Sequence, residues 1–184
     1  MRDKVVVRLA KRDDAEALGR LYERNLSLFS SDEPSRDASF FTVEGQARAL
    51  RDALDEYDAG RQWPGVALMD GDVIGKITLH DIRRGPLNMA EVGGWLSADL
   101  HNHGVATDAL AHLLRIAFGE LGLHKIVGYA KVDNIASRKV MEHNGFSLVG
   151  TVERHVYDRG RWHDEMLYER LAPWCDGTRP SADG

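Results

Sequence analysis

The segment His101-Asn102-His103-Gly104-Val105-Ala106 combines a glycine with the start of a helix-period run. A glycine there lets backbone approach a ligand closely. The first turn of the following helix presents unpaired N–H groups and the positive end of its dipole. Together these features suit a phosphate or pyrophosphate. The loop lacks the Lys-Ser/Thr of a P-loop, and no G-x-G-x-x-G occurs, which argues against kinase and Rossmann chemistry. Glycines before helices are common, so the loop alone assigns no ligand. His101 and His103 raise a metal reading, but no H-E-x-x-H and no third ligand at local spacing accompany them. No metal is expected.

The elements that must position this loop follow from periodicity. Val5 to Leu9 is a β-branched strand. A helix follows, capped by Asp13 or Asp14, with Ala17, Leu18, Leu21, Leu26 and Leu28 at roughly helical spacing. Ser30 to Ser35 is a polar loop broken by Pro34. Thr42 can cap a second helix whose Val43, Ala47, Leu50, Leu54 and Tyr57 share a face, with Gly60 at its end. The period then changes to that of strands. Val66–Met69 and Val73–Leu79 flank Asp70-Gly71, a type I′ hairpin signal. Arg84-Gly85-Pro86 turns the chain into a strand from Ala90 to Ser97. A helix from about Ala106 to Leu121, a strand from Ile126 to Val132 and a short helix from Ile135 to His143 come next. Two strands, Phe146–Val156 and Trp162–Leu171, enclose a turn at Asp158-Arg159-Gly160. The order is β-αα-βββ-α-β-α-ββ, a central sheet covered by helices.

The chain has 184 residues and a net charge of −5, with 43% hydrophobic and 29% charged residues. That is the composition of one folded domain, assigned to residues 1–172, with a loose tail at 173–184. The acidic balance disfavours general nucleic-acid binding, which relies on Lys and Arg neutralising phosphates. No apolar run reaches the roughly 20 residues of a membrane helix, so no membrane partner is expected. The opening residues do not read as a secretory leader. Cys175 is the single cysteine, which excludes an internal disulfide and points to a reducing compartment, the cytoplasm.

Read together, several segments resemble one family. His101 to Ala106 is similar to the Q/R-x-x-G-x-G/A motif of the GNAT acetyltransferase superfamily, with His101 in place of Gln or Arg. Asn134 to Phe146 resembles its N-x-x-S…G-F segment, and Val92-Gly93-Gly94-Trp95-Leu96 the G-Y-W-L strand. Arg84-Gly85-Pro86-Leu87 and Gly160 to Asp164 resemble the RimJ/RimL branch, which acetylates N-terminal amines of ribosomal proteins. The likeness covers about residues 72–171. It implies an α/β (α+β) GNAT fold: a mixed sheet of about six or seven strands with a splayed parallel pair, flanked by about four helices.

The resemblance also implies a site. Acetyl-coenzyme A would lie between the parting strands around Trp95 and Ile126. Backbone at Trp95, Leu96 and Ser97 would meet the pantetheine. The loop of His101, Asn102, His103, Gly104, Val105, Ala106 and Thr107 would hold the pyrophosphate. Ser137 would stand beside the sulfur, and Asn134 would orient the neighbouring loop or cofactor. The acceptor amine would enter past the first two helices.

A free α-amine has a pKa of about 7.7–8.0 and a lysine amine about 10.4, so an α-amine needs only a modest base. Glu91, on the strand entering the motif, is the candidate. The branch often carries a glutamate where this chain has Val149; Glu153, four residues on, shares its strand face by alternation. The expected reaction is acetyl transfer to a primary amine, chiefly a protein or peptide N-terminus. A small amine such as an antibiotic or polyamine, and a non-catalytic acyl-coenzyme A sensor, are the alternatives. The oligomeric state stays open, with a homodimer as one option. From Asp32 to Asp58 there are eight acids and three bases, an excess that would favour cationic acceptors.

Overall fold

On strand β1 (Val5–Leu9), Val5 and Val7 turn into the core while the intervening residues are more open, the alternation a half-buried strand requires. The computed structural model describes residues 5–29, 37–158 and 160–174. Helix α1 (Asp14–Arg24) buries Leu18, Leu21 and Tyr22. Asp13 occupies the N-cap position but makes no side-chain cap bond. Asp14 instead takes a forked bond from Arg8, 2.8 Å on each arm, and accepts from the Lys11 amide at 2.7 Å. The helix expected to continue through Leu28 stops at Asn25, and a separate turn, α2 (Leu26–Phe29), follows with Leu26 exposed.

A 3₁₀ turn at Ala38–Phe41, not expected from periodicity, leads into α3 (Val43–Asp58). Thr42 caps α3 as expected, its hydroxyl accepting from Gly45 N at 3.1 Å. The buried face is rotated from the expected stripe. Gln46, Leu50 and Ala53 are inside, and Tyr57 is exposed. Gln46 Nε2 donates to the Phe40 carbonyl at 2.6 Å, while its buried Oε1 has no partner among the described residues.

The remaining strands are β2 (Trp63–Met69), β3 (Asp72–Arg83), β4 (Met89–Leu96), β5 (Lys125–Lys131), β6 (Ser147–Asp158) and β7 (Arg161–Leu171). They form one seven-stranded sheet in the order β1-β2-β3-β4-β5-β7-β6. Among the described residues only β4 and β5 run parallel. Asp70 and Gly71 both have positive φ, as the expected hairpin demands. Helix α4 (Val105–Arg115) starts one residue earlier than expected and passes into a π-helical turn at Ile116–Glu120; α5 (Ile135–His143) matches its expected span.

Two apolar clusters lie on opposite sides of this sheet. Leu110, Leu113 and Ala117 of the α4 segment pack with Ile77, Leu79, Ile126 and Phe146. Leu18 of α1 and Leu50 of α3 pack with Val66. Between the register shifts on β3, Lys76, Thr78 and His80 therefore face α1 and α3, and Ile77 and Leu79 face α4. Trp174 donates to the Phe118 carbonyl at 3.4 Å, while the expected loose tail beyond it, Cys175 included, lies outside the described residues. So do the loop at 30–36 and Arg159 of the last turn. Among the described residues, no helix is long and apolar enough to cross a membrane.

Candidate active site

The parallel pair is joined only at its base. Met89 to Val92 register with Lys125 to Gly128. Past Val92 and Gly128, Gly93 to Leu96 pair with β3 alone, and Tyr129 to Lys131 pair with β7 alone. The sheet thus has a gap between β4 and β5 whose edges carry backbone groups without a partner strand. That gap is the splayed pair expected from the resemblance.

Beyond the gap stands the start of α4. Gly104 has φ 79° and is the N-cap residue, a left-handed conformation that costs other L-residues about 1–2 kcal/mol. The helix's first bond runs from Asp108 N to Gly104 O at 3.1 Å, so the preceding amides point out of the helix start. Val105 is buried in the core and offers only its backbone; Ala106 and Thr107 are half-buried. Asn144 Nδ2 donates to the Thr107 carbonyl at 3.1 Å, tying α5 to this turn. His101, Asn102 and His103 are exposed. His101 Nε2 bonds the Leu96 carbonyl at 3.2 Å, so the loop folds back on the free edge of β4. This cradle presents backbone amides and no side chain at Gly104, an arrangement that could hold an anion.

Ser97 does not fit the role expected of it. Its amide donates to the Ile74 carbonyl at 2.9 Å, its carbonyl accepts from Leu100 N at 3.0 Å, and its hydroxyl bonds Asn25. It is 8% exposed and faces inward. The Trp95 carbonyl also lies against β3, beside Gly75, so of the three expected residues it is Leu96 whose backbone faces the gap. The Trp95 indole donates to the Tyr22 hydroxyl at 2.9 Å and packs on Tyr22 and Phe29, with ring centroids 4.5 and 4.9 Å away.

A cleft of 590 Å³ opens on the α1/α3 face beside the gap. Its floor is Thr78, His80, Gly93 and Trp95, and α3 contributes Arg48 and Asp52 to its wall. Gly93, the first β4 residue beyond the paired base, joins gap to cleft. The His80 ring lies over it: a Cβ added at Gly93 would sit 3.4 Å from His80 Cδ2 and Nε2. Burial, with Lys76 adding to it, holds the His80 imidazole below its ordinary pKa.

Glu91 is the register partner of His80 on β4 and of Val127 on β5. Burial pushes its carboxyl above the ordinary glutamate value; His155 and Arg83 oppose this, while Asp81 and Glu165 add to it. Its neighbourhood holds a second polar group of residues. His155 stacks on Tyr129 with centroids 4.3 Å apart, and its Nδ1 bonds Glu165 at 2.8 Å.

Asn134 is the N-cap of α5, its side chain accepting from Ser137 N at 3.1 Å, so the N-x-x-S spacing is a capping arrangement. Ser137 is half-buried in the first turn. The expected face-sharing of Val149 and Glu153 fails. Leu148 pairs with Tyr168 and Gly150 with Leu167, so Val149 is the extra residue of a bulge; the register slips again between Val152 and Val156. Each extra residue breaks the alternation on which that expectation rested. Both side chains are exposed.

Sequence reasoning missed His80, Thr78 and Lys76. Their signal was available: polar side chains at alternate positions between the apolar Ile77 and Leu79. Arg48 gave no such signal, because only the packing of α3 brings it to the cleft wall.

Comparison with known proteins agrees with this geometry. The family model described as an acetyltransferase (GNAT) domain matches residues 4–147. YdaF of Bacillus subtilis (strain 168), provisionally named a ribosomal N-acetyltransferase, is 30% identical over 181 residues, covering 95% of each chain. The crystal structure of the ribosomal-protein-S5-alanine acetyltransferase of Vibrio fischeri superposes with a TM-score of 0.86 at 25% identity, covering 94% of this chain and 96% of that one. RimJ of Mycobacterium smegmatis, solved in complex with CoA-disulfide, gives 0.86 at 27% identity over 91% and 82%.

Proposed function

The chain belongs to the GNAT acetyltransferase family and uses acetyl-coenzyme A as acetyl donor, and from that premise we propose that its acceptor is the N-terminal α-amine of a protein or peptide. The observation that carries this reading is the continuity between the strand gap and the cleft at Gly93. A thioester threaded between β4 and β5 emerges where the acceptor cleft begins. The cleft is open on the α1/α3 side, which suits a chain terminus attached to a larger body. The names of the relatives point the same way, toward ribosomal proteins.

In this reading the α4 amides from Gly104 to Thr107 hold the pyrophosphate, and the β4 edge at Leu96 holds the pantetheine. Ser137 donates toward the leaving sulfur, from a helix start oriented by Asn134. Glu91 places negative charge where the ammonium gives up its proton. Near pH 7.5 an α-amine costs well under about 1 kcal/mol to deprotonate and a lysine amine roughly 4 kcal/mol, which favours the α-amine.

The test is a thiol-release screen with peptides bearing free N-termini, polyamines and aminoglycosides. Turnover with the peptides, lost when their N-termini are blocked, is expected. Turnover confined to the small amines would reassign the acceptor. Saturable coenzyme A binding without thiol release for any amine would make the protein a sensor.

A further inference from the structure

A proton acceptor for the incoming amine must lie within hydrogen-bond reach of it where it meets the thioester. That place is fixed by the sheet: it is the first unpaired stretch of β4, at Gly93. The side chain lying over Gly93 is His80. Glu91 is one step back, in the paired base of the strands, and the groups that influence its charge are His155, Asp81, Glu165 and Arg83. His80 and Glu91 are direct cross-strand partners, a relation that puts Cβ atoms about 4.5–5.5 Å apart on one sheet face.

We propose that His80 accepts the proton that the acceptor ammonium loses, with Glu91 as the charge that offsets the imidazolium. The proposal rests on the reading that an amine enters this cleft. The charged and titratable groups that line the cleft with His80 are Lys76 on its own strand, Tyr22 on α1, and Arg48, Asp52 and Glu56 on α3, with Glu91 its register partner on β4. Burial and then Lys76 lower the imidazole's pKa, which favours the neutral form that can take a proton. The ring is open to the cleft, so it can pass that proton to water afterwards.

The accounting closes. The ammonium loses two protons. One goes to His80 and then to solvent, freeing the nitrogen lone pair. The amide C–N bond forms as the C–S bond breaks, and the second nitrogen proton ends on the coenzyme A sulfur. Nothing is oxidised or reduced.

The experiment measures kcat/KM from pH 6.5 to 9.5 with an α-amine peptide for the wild type, His80→Gln and His80→Ala, the last with and without imidazole. Coenzyme A affinity is measured by calorimetry alongside. At pH 7 a loss of about 10²-fold is expected in both variants. The deficit should close above pH 8, where the amine is already neutral. Imidazole should restore His80→Ala, and coenzyme A affinity should stay unchanged. Wild-type rates in His80→Gln would overturn the proposal. So would a loss that is the same at every pH and insensitive to imidazole, or one that follows a loss of coenzyme A affinity, since each marks a packing role. Absence of wild-type turnover with every amine would overturn the acceptor reading, and this proposal with it.

Discussion

Asn25 and Ser97, 72 positions apart in sequence, bond one another through both arms of the asparagine amide. Asn25 Nδ2 donates to Ser97 Oγ at 3.0 Å and to the Leu21 carbonyl at 2.8 Å, while its Oδ1 accepts from Ala98 N at 2.9 Å. One buried amide thus ends α1 and locks the exit of β4, the strand that borders the gap. The residue that interrupts the expected helix is the one that joins α1 to the end of β4.

Asn25→Ala should therefore destabilise the protein by about 1–3 kcal/mol, since it leaves the buried Ser97 hydroxyl, and with it the Ala98 amide, without this partner. Urea unfolding measures this. A loss below about 0.5 kcal/mol would show that water replaces the amide without cost.

Gly104→Ala should lower coenzyme A affinity and cost about 1–2 kcal/mol of stability, because φ 79° strains any residue with a Cβ. Gly104→Val should weaken binding further, since its branched side chain fills the pyrophosphate cradle. Calorimetry with coenzyme A, set beside thermal unfolding, separates the two effects. Unchanged affinity in the valine variant would move the site away from this loop.

The Arg8–Asp14 pair should make stability acid-sensitive. Desolvation raises the Asp14 carboxyl, but the Arg8 fork and the Lys11 amide outweigh it and leave the pKa lowered. A depressed folded-state pKa stabilises above the unfolded value of about 3.9, and that stability is lost as pH falls from there through the folded value. Asp14→Asn should lose about 2–3 kcal/mol at pH 7 and flatten the acid limb of the curve. Unfolding in urea from pH 2 to 7 gives both quantities; a parallel curve for the variant would assign the acid limb to other groups.

Glu91→Gln should slow kcat by about tenfold with an α-amine peptide and more with a lysine-like acceptor, which is harder to deprotonate. The wild type should also lose activity on the acid side sooner than an ordinary glutamate would dictate, because burial raises this carboxyl. The variant should lack only that contribution, the part of the acid limb due to His80 and the amine remaining. Equal wild-type rates for both acceptors would remove Glu91 from the reaction.

The cleft wall carries Asp52 and Glu56 against Arg48. Of the acidic excess counted from 32 to 58, Asp32, Glu33 and Arg36 lie outside the described residues. A basic peptide should be preferred over an acidic one with the same N-terminal residue, and the preference in kcat/KM should shrink as salt screens charges over roughly 8–10 Å. No preference, or one indifferent to salt, would exclude steering.

The sequence by itself determined the element order, the hairpin at Asp70-Gly71, the Thr42 cap and the glycine at the start of α4. Each depends on local backbone conformation or on a short hydrogen bond, and residue type controls both. It also carried the family resemblance through His101 to Ala106 and Asn134 to Phe146. What it could not determine is set by pairing across distance. The break at Asn25 depends on Ser97, the rotated face of α3 on the Phe40 carbonyl, and the slip at Val149 on the register of β7. His80 belongs to the site only because β3 lies beside β4 with Gly93 beneath the ring. Those choices are made by whole surfaces fitting together, where a partner many residues away supplies the hydrogen bond or the space, and no local propensity encodes which partner arrives.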